Sequence, residues 1–261
     1  MKRRDIRPSL SVASETINGG KMRYHVKPGL VLRLSAIVVA GLAIILTGET
    51  DAARYTYQNT IIPENSITKL DPQTYVFLTE YGKQLKSLSS AYRVDWRLAL
   101  AVLRQESSFD PEAVSDAGAE GFMQIMPVTG DYIASLYNIT DISNPVTNIK
   151  LGVIHLHDLL HDFSDSSPKN RLQLAVAAYN CGLTRVQDAQ TVAKFLGDSP
   201  NQWSSIKATL PLLSFRYSPL HAHIWSAGRP TGGYFGGSHE TISYVENVMR
   251  YYNIYRNALQ R

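Results

Sequence analysis

The sequence predicts a mainly α-helical domain carried behind a basic leader and one apolar segment. Three observations predict it. Apolar residues recur at intervals of three and four through much of the chain after residue 73, strand-like alternation is scarce, and basic charge is concentrated at the N-terminus. The 261 residues are 44% apolar and 10% aromatic, which suits one domain with a sizeable core and excludes a disordered or collagen-like chain. A single Cys excludes an internal disulfide and any Cys-based zinc or iron–sulfur cluster.

The formal charge is +4, but residues 1–33 hold eight Lys and Arg against Asp5 and Glu15, leaving the remainder net negative. Charge therefore gives the folded part no nucleic-acid partner. Residues 1–29 read as a basic cytoplasmic leader and residues 30–48 as a signal anchor or signal peptide. Leu34 to Thr47 carries no charge, and the run just spans a bilayer if counted from Leu30 with Arg33 reaching back to the interface. The long leader resembles an anchor, whereas Thr50-Asp51-Ala52 offers small residues for cleavage before Ala53, so both readings stand. No Cys follows the run, which excludes lipoprotein attachment. The positive-inside rule sends everything after Gly48 across the inner membrane, into the periplasm of a bacterium.

Residues 49–72, polar with Pro63 and Pro72, read as a linker, and residues 73–261 as one helical domain without repeats. Tyr75, Leu78, Tyr81, Leu85 and Leu88 predict a helix over Thr74 to Ala91. Asp95 can cap a second, from Trp96 to about Ser107. Gly118 and Gly121 punctuate a loop, and Pro127 ends a short apolar turn. A short amphipathic helix over Thr129 to Leu136 and a longer one over Ile149 to Leu160 follow. Arg171 to Asn180 is strongly apolar, with Gly182 placed as a left-handed cap. Residues 213–239, rich in Gly, Pro, His and aromatics, read as a long loop; Thr241 to Leu259 returns to helical spacing.

Glu106 shares a helical face with Ala99, Val102 and Leu103, seven, four and three residues earlier. A carboxyl ending an apolar stripe faces a core or cleft, where desolvation raises its pKa toward the range of a general acid, and the helix C-terminus pushes the same way. The plainer reading is a helix-end Glu turned to solvent or paired with Arg104 or Lys150.

Four blocks extend this signal. Glu106-Ser107-Ser108-Phe109-Asp110-Pro111 leads through Ala113-Val114-Ser115 and Ala117-Gly118-Ala119 into Gly121-Phe122-Met123-Gln124-Ile125-Met126-Pro127 and Thr129. Asn144-Pro145, Asn148-Ile149 and Gly152 follow, then Ala177-Ala178-Tyr179-Asn180-Cys181-Gly182, then Glu240-Thr241 with Tyr244-Val245. In this order and spacing the chain resembles the catalytic domain of the soluble lytic transglycosylase family, a lysozyme-like fold, over roughly residues 74–255.

The resemblance implies cleavage of the MurNAc-β-1,4-GlcNAc bond of peptidoglycan without water and without a cofactor or metal. Glu106 matches the family's single acid/base, which protonates the glycosidic oxygen and then deprotonates the MurNAc O6 hydroxyl, giving a 1,6-anhydro end. Ordinary glycosidases use two carboxyls; here Asp110, Glu112, Asp116 and Glu120 lie in a polar loop with no evident constraint as a second. Ser115 and Gln124 match polar cleft residues able to orient sugar hydroxyls or the N-acetyl group. Met126 matches a residue whose thioether packs on a sugar face, and ordinary core packing is its other reading. Tyr179 could orient Glu106 through its hydroxyl, and Asn180 could bond peptide or acetamido groups; a core Tyr beside an Asn cap is the alternative. Cys181 stands where the family commonly has Ala or Ser and reads as a packing residue. Glu240 matches a substrate-binding Glu or, equally, a first-turn acid favoured by the helix dipole, and Ile242 stands where many members carry Arg.

His157-Asp158-Leu159-Leu160-His161 imitates a zinc motif, but Asp158 replaces the general-base Glu and no third ligand is specified. In loop 213–239, Trp225, Tyr234 and Phe235 could form a sugar-stacking lid, a plug over the core, or a docking surface. Expected partners are glycan strands of peptidoglycan, the inner membrane and, on a rival reading, a secretion or conjugation apparatus for which the chain is a non-catalytic scaffold. A lysozyme-type hydrolase is a second rival.

Overall fold

The computed structural model describes residues 70–259 apart from 140, 142 and 143. The leader, the apolar segment and nearly all of the linker lie outside the described residues, and so do the anchor and cleavage readings. Among the described residues, no helix is long and apolar enough to cross a membrane.

Helix α1 (Pro72–Ala91) begins two residues before the expected Thr74, within the end of the predicted linker. Pro72 suits the first turn because its missing N–H would be unpaired there, and Asp71 caps the helix by accepting from the Thr74 N–H at 3.1 Å. Helix α2 (Trp96–Ser107) starts at the predicted cap, with Asp95 accepting from the Arg97 N–H at 3.0 Å. Every residue from Leu98 to Leu103 is fully buried, which makes α2 the central helix. It ends where Ser108 and Phe109 both take positive φ, 52° and 68°, turning the chain away from the axis.

Helices α3 (Pro127–Tyr137) and α4 (Pro145–Asp162) each start at a proline. Pro127, expected to end the preceding turn, itself opens the helix predicted from Thr129, because proline's fixed φ fits the first helical position. Helix α5 (Pro168–Cys181) and helix α6 (Leu183–Phe195) share Gly182 as their junction. That glycine has φ 90° but ψ 143°, so it breaks the chain direction without forming the expected left-handed helical cap. Helix α6 was not read from the sequence, although Val186, Ala189, Val192 and Ala193 form its buried stripe. Helix α7 (Trp203–Thr209) and a 3₁₀ turn (Leu210–Leu213) follow.

Segment 213–239 departs from the predicted loop. It contains a 3₁₀ turn (Phe215–Tyr217) and helix α8 (Ser218–Ile224) before α9 (Ser238–Ala258) begins. Asp188 of α6, only 3% exposed, accepts from the N–H groups of Thr231 and Gly232 at 3.1 and 2.7 Å. The buried His221 ring lies against Trp225 and Tyr234, with Nε2 2.7 Å from the Leu212 carbonyl. Trp225 and Phe235 pack on the core while Tyr234 faces outward, so the segment's aromatics are divided between plug and surface.

Helix α9 lies along α2 and also packs on α5, which is flanked by α4 and α6. The C-terminal end of α2 thus meets α5, α9 and the loop 108–126, where the site forms.

Candidate active site

Glu106 occupies the last turn of α2 behind the fully buried stripe Ala99, Val102 and Leu103. Its Oε1 accepts a 2.5 Å hydrogen bond from the Tyr244 hydroxyl of α9. Burial pushes the carboxyl up to about 7, against the opposing pull of the Tyr244 bond. Among the described residues no second carboxylate contributes to this shift. Asp110, Glu112, Asp116 and Glu120 are all exposed on the loop.

That loop is held by polar bonds rather than by regular structure. Only isolated bridges, Val114 with Glu120 and Glu120 with Ile125, order its middle. Asn148 of α4 spans it: its Oδ1 accepts from the Met123 N–H at 2.8 Å, and its Nδ2 donates to the Glu120 carbonyl at 2.9 Å. Gly121 passes so close that a Cβ there would stand 2.7 Å from the Asn148 amide, and Gly152 lets α4 approach Met123 in the same way. The Asn148 and Gly152 positions in the sequence blocks thus have a physical role in pinning the loop over the end of α2. Ser107 adds a bond from its Oγ to the Phe122 carbonyl at 2.9 Å.

The predicted site residues divide by what their polar atoms do. Gln124, at φ 47°, donates both amide hydrogens inward, to the Ala113 and Gly121 carbonyls at 2.9 and 3.0 Å. Its carboxamide oxygen is the group left to offer, as an acceptor. Asn180 has the opposite polarity: its Oδ1 accepts from the Thr241 hydroxyl at 2.7 Å, leaving its NH₂ as a donor. The Ser115 Oγ accepts from the Ala119 N–H at 2.9 Å and keeps its own proton to donate. Met126, at 39% exposed, is not a core residue. Glu240 is exposed in the first turn of α9.

Tyr179 is placed differently from expectation. Its hydroxyl donates to the Met123 carbonyl at 2.9 Å, and Tyr244 holds the position beside the acid. Both phenols are pushed well above their ordinary value, by burial first and then by the nearby Glu106 charge, so both remain neutral donors. Tyr244 had a signal in the sequence, as part of the last block on the buried stripe of α9. Nothing local aimed its hydroxyl at a residue 138 positions away.

Cys181 is buried and its thiol is pushed up to about 11 by burial, the wrong direction for a nucleophile. Among the described residues, no group of three or more His, Cys, Asp or Glu is arranged to hold a metal ion.

Residues 84–202 match the family model described as the transglycosylase SLT domain. Over 189 residues the chain is 36% identical to the "Membrane-bound lytic murein transglycosylase F" of Desulfosudis oleivorans, an alignment covering 72% of this chain and 39% of that protein. The protein of the same name from Histophilus somni is 31% identical over 229 residues, covering 81% and 45%. The chain therefore spans less than half the length of these curated relatives. In fold it is similar to the 70 kDa soluble lytic transglycosylase of Escherichia coli, with TM-score 0.51 and 22% identity over 87% of this chain and 34% of that one. A structure described as the complex of the 70 kDa soluble lytic transglycosylase with bulgecin A gives TM-score 0.50 at 23% identity, with the same coverage. The helical domain built around Glu106 has the lysozyme-like fold and belongs to the transglycosylase SLT domain family.

Proposed function

We propose that this chain is a peptidoglycan lytic transglycosylase in which Glu106 serves as the single general acid and base. The observation that carries this reading is a carboxyl raised to about 7 by burial and held by a neutral phenol, with no second carboxylate among the described residues contributing. Near neutral pH such a group exists in both protonation states, as an acid that later becomes a base requires.

In the first step, protonated Glu106 gives its proton to the glycosidic oxygen as the bond to C1 of MurNAc breaks. The substrate's own N-acetyl oxygen supports the positive charge at C1. The Tyr244 bond favours the carboxylate that results. In the second step, this carboxylate takes the proton of the C6 hydroxyl, whose oxygen attacks C1. The 1,6-anhydro ring closes, Glu106 is protonated again, and no water is consumed. Gln124 as acceptor and Asn180 as donor suit a hydroxyl or N–H on one side of the saccharide and an acetamido carbonyl on the other. Ser115, exposed Met126 and Glu240 extend the contact surface for the strand.

The name "membrane-bound" of the relatives, with the basic leader and apolar segment of residues 1–48, supports a periplasmic domain attached to the inner membrane. Mass spectrometry of the products released from purified sacculi tests the chemistry. Muropeptides ending in anhydro-MurNAc are expected; reducing MurNAc ends, heavier by one water, would assign the chain to the hydrolases.

A further inference from the structure

Gln124 and Asn180 are the two amides of the site, and their polarity is fixed in different ways. A carboxamide turned by 180° keeps almost the same shape, so packing alone does not decide which end faces the saccharide. For Gln124 the choice is forced, because both of its partners are carbonyls, which only accept. The partner of Asn180 is the Thr241 hydroxyl, which can donate or accept. The direction of that bond depends on where else the Thr241 proton can go.

Thr241 is 1% exposed near the start of α9, and its backbone N–H donates to the Gly237 carbonyl at 3.0 Å. Its hydroxyl has a second neighbour, the Cys181 thiol. Burial pushes that thiol up to about 11, so at neutral pH the sulfur keeps its proton, which points to the Gly182 carbonyl 3.8 Å away. A protonated thiol is a weak acceptor. The Asn180 oxygen, at 2.7 Å, is the stronger one, so the Thr241 proton goes to Oδ1 and both amide hydrogens of Asn180 are left for the saccharide.

Tyr244 follows Thr241 by three residues, on the same buried face of α9. One turn of this helix carries the partners of both the acid and the amide. We infer that Thr241 is a positioning residue that acts through Asn180, holding its NH₂ toward an acetamido carbonyl of the glycan and so setting affinity for N-acetylated sugars. This inference rests on the proposed activity for its substrate class. It adds a division of labour within one helical turn, with Thr241 serving substrate affinity and Tyr244 serving proton transfer.

The test compares Thr241→Val, Thr241→Ser and Asn180→Ala with wild type on purified sacculi. Loss of one hydrogen bond predicts a rise of about five-fold in KM for Thr241→Val, reversed in Thr241→Ser. Its kcat and its pH limb near 7 should stay in place, because Tyr244 still holds the acid. In the Asn180→Ala background Thr241→Val should add nothing. A KM that does not rise, a rise that persists without Asn180, or a pH limb that moves would overturn the inference. Titration calorimetry of Glu106→Gln with the GlcNAc tetrasaccharide and with its N-deacetylated form separates this from the activity itself. Thr241→Val should weaken binding of the acetylated form about five-fold and leave the other unchanged. If wild type releases no products from sacculi, the proposed activity fails, yet that acetyl-specific loss still supports the role of Thr241. An equal loss on both forms, no loss on either, or no binding of the acetylated form overturns it.

Discussion

Asp95 and Glu106 stand at the two ends of α2, and each receives a hydroxyl from α9: Tyr252 on Asp95 at 3.0 Å, Tyr244 on Glu106 at 2.5 Å. Their protonation diverges all the same. Burial pushes Asp95 up, but it is outweighed by hydrogen bonds from the Arg97 side chain and backbone and from Tyr252, together with the Arg97 charge, and the carboxyl is held below its ordinary value. Burial pushes Glu106 up as well, and with no cation among the described residues contributing, the phenol offsets burial only in part and leaves it at about 7. One tyrosine does not make a carboxylate acidic. The guanidinium, bound to Asp95 at 2.7 Å, makes the difference between a structural cap and a proton carrier.

The largest expected effect separates the two ends by activity. Glu106→Gln should lower kcat on sacculi by about 10³-fold, the scale of a lost general acid/base. Asp95→Asn should leave catalysis by the folded fraction nearly intact. Comparable losses in both, measured at equal folded fraction by circular dichroism, would dissolve the distinction.

Stability should separate them next, with opposite dependence on pH. Glu106 has a raised folded pKa, so its penalty is absent below its unfolded value and grows as pH rises toward 7. Glu106→Gln should therefore stabilise the fold by at most about 3 kcal/mol at pH 8 and by nothing at pH 4. Asp95 has a depressed folded pKa, so its contribution is present above the ordinary carboxylate range and is lost as pH falls. Asp95→Asn should cost about 2 kcal/mol at pH 7, fading in acid. Denaturant melts at the two pH values check both signs.

A smaller effect sharpens the role of the phenol. Proton donation makes kcat/KM fall as pH rises past about 7. Tyr244→Phe removes the one bond that lowers Glu106, so this limb should move to higher pH, with kcat reduced about ten-fold by the looser carboxylate. A limb that stays in place would show that the phenol does not tune the acid.

Much of α2 and the acid's position could be read from the sequence, because they depend on local spacing. Asp95 marks the cap, and residues three, four and seven before Glu106 define the buried face on which it ends. The partner of Glu106 could not be read this way. Tyr179 and Tyr244 both lie in the recognisable blocks, and only the packing of α5 and α9 decides which hydroxyl meets the carboxyl and which meets the Met123 carbonyl. The turn polarity of Gln124 and the clamp of Asn148 likewise depend on contacts across the chain. Segment 213–239 concealed α8 because its seven residues, Pro219 among them, carry too little periodicity, and its order comes from Asp188, a buried acid on α6, and from the segment's own His221, a buried imidazole set against the Leu212 carbonyl.

Titration of carboxyl carbons in ¹³C-labelled protein by NMR, with Glu106→Gln used to assign the signal, tests the central claim most directly. A midpoint of about 7 for Glu106, with the Asp95 signal titrating below its ordinary value, is the result predicted here. A Glu106 midpoint at the ordinary glutamate value of about 4.3 would leave the chain without a proton to give at neutral pH and contradict its assignment as the acid.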